Sequence, residues 1–220
     1  MELLEGIQSR ATCRGFLPTP VPKDVLDKIL NAAANSPSYT NSQPWEVAVV
    51  TGQKRQELSK IIYELARQEK TANPDIPSGQ KWPSEIDKRI REHGARRLTA
   101  LGVARDDQSA RNNLRLANYK FYDAPCVVFL FIDGTLGEWS IFDTGLFAQT
   151  FILAAHSLGI ACCLQASIVN YPDTIREFLN IPRTKKLVIG IATGYPDKAA
   201  KLNSYRSLKM KPEEFVKWYK

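Results

Sequence analysis

The apolar run CVVFLFI at residues 126–132 constrains the fold of this chain more than any other feature. It is far shorter than the roughly 20 residues that a membrane-spanning helix requires. We therefore predict a core strand over 125–132. The N-terminal sequence MELLEGIQSR has acidic residues where a secretory signal carries basic ones, and no long apolar segment follows it. These features predict a cytoplasmic protein without membrane association.

The other hydrophobic segments predict a mixed order of helices and strands. The chain has 220 residues, of which 44% are hydrophobic, so one domain can bury a core without disulfides. Because helices and strands do not alternate regularly, the class is α+β and not doubly wound α/β. Helices are predicted at 2–8, 22–36, 54–68, 140–157, 172–179 and 212–218, and further strands at 46–51, 160–164 and 186–193.

Residues 71–115 differ in character from the rest of the chain. Three prolines fall within 71–83, and the helices predicted at 85–101 and 107–118 are dense in charge. The segment is too short to have a core of its own. We interpret it as a charged helical insertion or lid within a single domain of residues 1–220.

The sequence is poor in catalytic side chains. It contains no G-x-S-x-G, H-E-x-x-H or P-loop motif, and its only histidines are His93 and His156. Its four cysteines lack C-x-x-C spacing, which argues against a metal site. The adjacent Cys162 and Cys163 lie in an apolar segment and are interpreted as core residues. If the chain is an enzyme, a cofactor carries the chemistry and no side chain is predicted to be catalytic.

The net charge of +7 is concentrated in two places, residues 81–115 and residues 198–220. A basic chain suggests nucleic acid as a partner, but no recognisable nucleic-acid module is present. A small anionic ligand needs only two or three of these side chains. We therefore predict a small anion and no nucleic acid.

Three polar clusters are suited to such an anion. The first, SRATCR at 9–14, offers two guanidiniums and a hydroxyl, and guanidiniums bind phosphate through paired hydrogen bonds. The second, SPSYTNSQPW at 36–45, is a long polar connection between a helix and a strand. The third, NSYRSLK at 203–209, contains two more basic residues.

Taken together, these clusters resemble the FMN-dependent nitroreductase family. SRATCR is similar to its R-x-S-x-R phosphate motif, SPSYTNSQPW to its P-S-x-x-N-x-Q-P-W loop, and GIATGYPD with NSYRS and PEEFVKW to its closing motif. The matches occur in order from residue 7 to residue 218. YDAPCVVFLF and GIACCLQASIVNYPD look most like the nitrobenzoate-reductase branch.

The resemblance implies a flavin-binding α+β fold with a central mixed or antiparallel sheet flanked by helices. It also implies an intertwined homodimer with two FMN sites at its interface. Electrons would pass from NADPH or NADH through FMN to a nitroaromatic or quinone acceptor.

The resemblance also implies a set of cofactor-binding residues. The FMN phosphate and ribityl chain would contact Arg10, Ala11, Thr12, Arg14, Arg206 and Lys209. The other protomer would contribute Pro37, Ser38, Tyr39 and Asn41. The flavin ring would lie against Asn118, Leu164, Gln165, Ala166 and Ser167, with a backbone N–H at flavin N5. Two features depart from the family: Lys209 replaces a frequent arginine, and LQAS lacks a frequent acidic residue followed by glycine.

Two alternatives remain open at the level of sequence. One is a flavin-dependent reductive dehalogenase of the same fold, in which residues 71–115 close over the substrate. The other is a basic flavin-storage or binding protein without turnover.

Overall fold

The structure is a computed structural model that describes residues 1–77 and 81–220. Seven helices are present in these ranges: α1 (Leu3–Ser9), α2 (Lys23–Ala33), α3 (Gly52–Arg67), α4 (Ser84–Leu101), α5 (Gln108–Tyr119), α6 (Glu138–Ser157) and α7 (Pro172–Leu179). The strands are β1 (Glu46–Thr51), β2 (Cys126–Asp133), β3 (Ala161–Gln165) and β4 (Lys185–Gly194). Within the described ranges, no helix is both long enough and apolar enough to cross a membrane.

Strand β2 lies inside a four-stranded sheet of order β1-β2-β4-β3, in which all neighbours pair antiparallel. Its apolar run is buried on both faces. Val127 and Phe129 pack in a cluster with residues of α3, α5 and α7, whereas Val128 and Leu130 pack in a second cluster with α2 and α6. Because successive side chains of a strand point to opposite faces, an unbroken apolar run gives a layer of helices on each side.

The α+β class is confirmed, and the sheet is antiparallel. The predicted boundaries agree with the observed ones to within about two or three residues for most elements, and strand 46–51 and helix 172–179 coincide with β1 and α7. The helix predicted at 212–218 is wrong. The structure has only a single 3₁₀ turn there, Pro212–Glu214. A segment this short forms a helix only when it packs against something, and the apolar residues of this tail are exposed.

The start of the predicted insertion is fastened to the sheet by a buried ion pair. The Arg176 guanidinium is only 5% exposed and binds both oxygens of Asp75, with an Nη2–Oδ1 distance of 3.1 Å. Asp75 also accepts a hydrogen bond of 2.7 Å from the backbone N–H of Leu187 in β4. Residues 78–80 of the predicted insertion lie outside the described residues.

This ion pair predicts a stability effect of Asp75→Asn. Arg176 keeps its ion pair with the more exposed Asp173 at 2.8 Å, so the loss is that of charge-assisted hydrogen bonds, about 2 kcal/mol. We expect the free energy of unfolding in urea to fall by that amount. The matched control is Asp87→Asn, which breaks the exposed ion pair with Arg91 and should cost about 0.5 kcal/mol or less. Equal losses in the two variants would contradict a structural role for the buried pair.

Candidate functional site

A cavity of about 490 Å³ lies between the end of α1 and the tail segment that follows β4. We call it the cationic cavity, because four basic side chains line it: Arg10, Arg14, Arg206 and Lys209. Ala11 and Thr12 line it as well. The structure therefore brings together the first and third sequence clusters, which lie at opposite ends of the chain.

Asn203 holds the first cluster in place. Its Oδ1 accepts hydrogen bonds from the backbone N–H of Arg14 at 2.7 Å and of Gly15 at 3.1 Å, and its Nδ2 donates to the Gly15 carbonyl at 2.8 Å. A Cβ at position 15 would approach the Cβ of Ala200 to 2.3 Å, so this contact requires glycine. Arg206 adds a further link by donating to the Ser9 carbonyl at 2.7 Å.

The charges of the cationic cavity are not neutralised within the chain. Among the described residues, none of its four basic side chains forms an ion pair with a carboxylate. At its edge, His156 Nε2 lies 2.8 Å from Ser9 Oγ. Burial, together with the charges of Arg10 and Arg206, lowers the pKa of His156. The cavity therefore favours a neutral imidazole and a bound anion.

The second sequence cluster forms a loop held by α6. Ser36 Oγ bonds to Thr150 Oγ1 at 2.8 Å, and the backbone N–H of Tyr39 donates to the buried carboxylate of Asp143 at 3.0 Å. Within the loop, Thr40, Asn41 and Gln43 have positive φ angles. These contacts hold a strained backbone in one conformation, and the side chains of Pro37, Tyr39 and Asn41 face solvent.

The loop and the cationic cavity contact different faces of helix α6. Asp143 and Thr150 are seven residues apart and share the face that contacts the loop. Gln149, which lines the cavity, and His156 share another face, offset by about 100°. Pro37, Ser38, Tyr39 and Asn41 are therefore not among the described residues that line the cavity in one chain.

The end of β3 carries a third group of predicted site residues. Gln165 Nε2 donates to the backbone carbonyl of Asn118 at 2.8 Å and to its Oδ1 at 2.7 Å. Asn118 Nδ2 in turn donates to Ser167 Oγ at 3.3 Å. The structure thus joins Asn118 to this segment, while Leu164 and Ala166 are exposed beside it.

Sequence reasoning missed the contribution of α4. His93 Nδ1 lies 3.2 Å from the hydroxyl of Tyr205, so α4 packs against the rim of the cationic cavity. Burial and the charge of Arg14 lower the pKa of Arg97. Nothing in the charged sequence of α4 distinguishes Arg97 from its neighbours. The predicted site residues also did not include Gln149, Tyr205 or Asn203, although the last two lie within the third cluster.

Comparisons with known proteins agree with this geometry. Residues 7–195 match the sequence model of the nitroreductase family. The chain is 31% identical to a 4-nitrobenzoate reductase of Pseudomonas putida, over 91% of this chain and 88% of the relative. It is 34% identical to the nitroreductase NfnB of Mycolicibacterium smegmatis, over 91% and 85%.

A solved structure is similar over almost the whole chain. It is the FMN-dependent nitroreductase NfnB from Mycobacterium smegmatis in complex with NADPH, with 31% identity. The TM-score is 0.94, and the match covers 99% of this chain and 97% of that one.

The four cysteines are predicted to be inert in the folded protein. Burial raises the pKa of Cys126 and Cys162 to about 12 and that of Cys163 to about 11, and it also raises the pKa of Cys13. At pH 8, roughly one thiol in a thousand is ionised at a pKa of 11, and the thiolate is the reactive form. We expect an aromatic disulfide reagent to label no thiol in the native protein at pH 8.

The matched control is the same protein in guanidinium chloride, where all four cysteines should react. Rapid stoichiometric labelling of one thiol in the native state would show that a reactive cysteine exists. In that case the assignment of all four to the core would be wrong.

Proposed function

This chain belongs to the nitroreductase family, and we propose that it is an FMN-dependent oxidoreductase acting on nitroaromatic or quinone acceptors. The electron donor in this proposal is NADPH or NADH. The names of the relatives support it, since they include a 4-nitrobenzoate reductase and a nitroreductase bound to NADPH.

The observation that carries the proposal is the unneutralised charge of the cationic cavity. A phosphate monoester carries nearly two negative charges and three acceptor oxygens. Arg10, Arg14 and Arg206 offer forked donors to such a group, and Lys209 adds a point charge. Because no carboxylate competes for these side chains among the described residues, the cavity fits the phosphate end of FMN.

The predicted site residues at the end of β3 are proposed to position the flavin ring. Leu164 and Gln165 end β3, an edge strand of the sheet, and Ala166 and Ser167 follow it. These four residues would lie against the flavin with a backbone donor at N5. Bound FMN would accept a hydride from the nucleotide and pass two electrons to the acceptor. The protein then needs an open, oriented face and no acid–base pair of its own. A positively charged site would also stabilise the reduced, anionic form of the flavin.

The exposed surface supports the proposed homodimer. The chain exposes 13809 Å², whereas a compact monomer of this mass exposes roughly 10,000 Å². The exposed apolar surface includes the tail, where Trp218 is 83% exposed and Tyr219 is 89% exposed. Strand β1 is also an edge strand whose Val47 and Val49 face solvent. Obligate dimers cover surfaces of this size and character.

The dimer is proposed to share each flavin site between two chains. The loop at 36–45 exposes Tyr39 and Asn41 to solvent, and neither is among the described residues that line the cationic cavity of the same chain. In a two-fold dimer, the same loop can reach the cavity of the other chain. Pro37, Ser38, Tyr39 and Asn41 would then bind FMN from the partner.

We also propose that residues 1–220 form one domain and that 71–115 is an insertion over the site. The contact between His93 and Tyr205 places α4 at the rim of the cavity. The ion pair of Asp75 with Arg176 fastens the start of the insertion to the rest of the chain.

An anaerobic titration tests the proposed function. We expect the purified protein to carry the visible absorption of flavin, which NADPH or NADH bleaches and 4-nitrobenzoate or a quinone then restores. Comparing the two nucleotides at equal concentration identifies the donor. Flavin that neither nucleotide bleaches would indicate a storage protein. A colourless protein that takes up no FMN would refute the proposal.

Mixed dimers test the shared site. When Arg14→Ala and Asn41→Ala chains are refolded together, each mixed dimer has one intact site and one doubly damaged site. Random mixing should restore about a quarter of wild-type turnover, well above either parent. The matched control combines Arg14→Ala with Arg206→Ala, which damages the cavity of every chain and should restore nothing. Equal activity in the two mixtures would contradict the shared site.

A further inference from the structure

His156 lies in the last turn of α6, beside the cationic cavity, and the proposed function gives the imidazole no role. Its Nε2 lies 2.8 Å from the hydroxyl of Ser9. The backbone carbonyl of the same serine accepts a hydrogen bond of 2.7 Å from the guanidinium of Arg206, which lines the cavity. Ser9 therefore links the imidazole to one of the basic side chains of the cavity.

A small gap connects His156 to a second of these side chains. The gap has a volume of about 10 Å³, and His156 lines it together with Arg10 and Ala11. Arg10 and Ala11 also line the cationic cavity. The imidazole therefore borders residues that form the cavity wall.

The charged groups around His156 are cationic. Burial, together with the charges of Arg10 at the end of α1 and Arg206 in the tail, lowers the pKa of His156. From β3, only the buried thiol of Cys162 reaches the same gap. Glu5, the carboxylate of α1 that precedes Ser9 by four residues, is exposed. Among the described residues, no carboxylate forms an ion pair with the imidazole.

A phosphate group in the cavity would reverse this balance, because its negative charge offsets the cations that oppose protonation of the imidazole. The position of His156 in the last turn of a helix also favours a positive charge there. We propose that His156 takes up a proton from water when a phosphate group binds in the cationic cavity. The imidazolium then adds a positive charge beside the four basic side chains, and its Nε2–H donates to Ser9 Oγ.

The inference rests on the proposed function, since the phosphate is that of FMN. His156 is a positioning residue in this arrangement, because it acts on the phosphate through its charge and through Ser9. Proton uptake on binding means that acidic pH tightens binding, since binding and protonation are reciprocally linked.

Two other groups titrate in the same pH range. A phosphate monoester loses its second proton near pH 6, so its own protonation weakens binding at acidic pH. His93, the other histidine of the chain, lies 3.2 Å from the Tyr205 hydroxyl at the rim of the cavity. Both titrations are present in the wild-type protein and in a variant that lacks only His156. The ratio of the two affinities therefore isolates the effect of His156.

The variant His156→Gln tests the proposal, because a glutamine amide can keep the hydrogen bond to Ser9 but does not titrate. The dissociation constant of FMN is measured by quenching of flavin fluorescence at pH 8 and at about pH 5.5, the range in which histidine changes charge. The two proteins should bind FMN equally at pH 8, and at the acidic pH the variant should bind about tenfold more weakly. A ratio that is the same at both pH values would overturn the proposal.

Proton NMR of the imidazoles tests the proposal in the wild-type protein, so it does not depend on the stability of a variant. The chain has only two histidines, and the spectrum of either His93→Gln or His156→Gln assigns both signals. FMN should raise the pKa of His156, whereas riboflavin, which lacks the phosphate, should leave it unchanged. An unchanged pKa in the FMN-bound protein, or an equal rise with riboflavin, would show that the phosphate does not drive proton uptake.

Inorganic phosphate separates this inference from the proposed function. At saturating concentration, it should also raise the pKa of His156. If the protein binds FMN but neither FMN nor phosphate changes this pKa, the inference is wrong and the proposed function stands. If phosphate raises the pKa but the protein takes up no FMN, the cavity binds a different anion and the proposed function is wrong.

Discussion

The burial of β2 on both faces is the constraint on which the rest of the structure depends. Its seven-residue apolar run is removed from water by helices on each side and contributes side chains to both core clusters. Strand β4 pairs with β2, and β3 pairs with β4. This pairing places the end of β3, with Gln165, at the edge of the sheet. Cys13 joins the same edge through its hydrogen bond to the Cys162 carbonyl, which sets the position of the cationic cavity.

The cationic cavity is assembled against electrostatic repulsion. Four like charges are gathered in one cavity, and Asn203 holds the backbone beneath them with neutral hydrogen bonds. A bound dianion would replace this repulsion with attraction, so cofactor binding and folding stability are coupled. The cationic cavity is therefore suited to an anionic group that the chain itself does not supply.

Two segments that carry predicted site residues, the loop at 36–45 and the tail after β4, also expose side chains to solvent. The loop at 36–45 keeps a strained backbone because Asp143 and Thr150 fasten it to α6, yet its tip faces solvent. The tail after β4 closes the cationic cavity through Arg206 and then extends into solvent with its aromatic residues exposed. A second chain that covered the loop tip and the aromatic tail would bury these exposed side chains.

Local patterns in the sequence were sufficient for most of the fold. The apolar run predicted β2, and the helix predicted at 172–179 coincides with α7. The chemistry of SRATCR predicted that Arg10 and Arg14 bind an anion, and this role stays a prediction. The predicted tail helix failed because its stability needs a packing partner that the sequence cannot locate. Only the tertiary structure decided that Arg14 meets Asn203, 189 residues away, and that the residues of the loop at 36–45 do not line the cationic cavity of their own chain. The tertiary structure alone showed that α4 packs at the rim of the cationic cavity. The sequence predicts that α4 is a helix, but where the helix packs depends on long-range contacts.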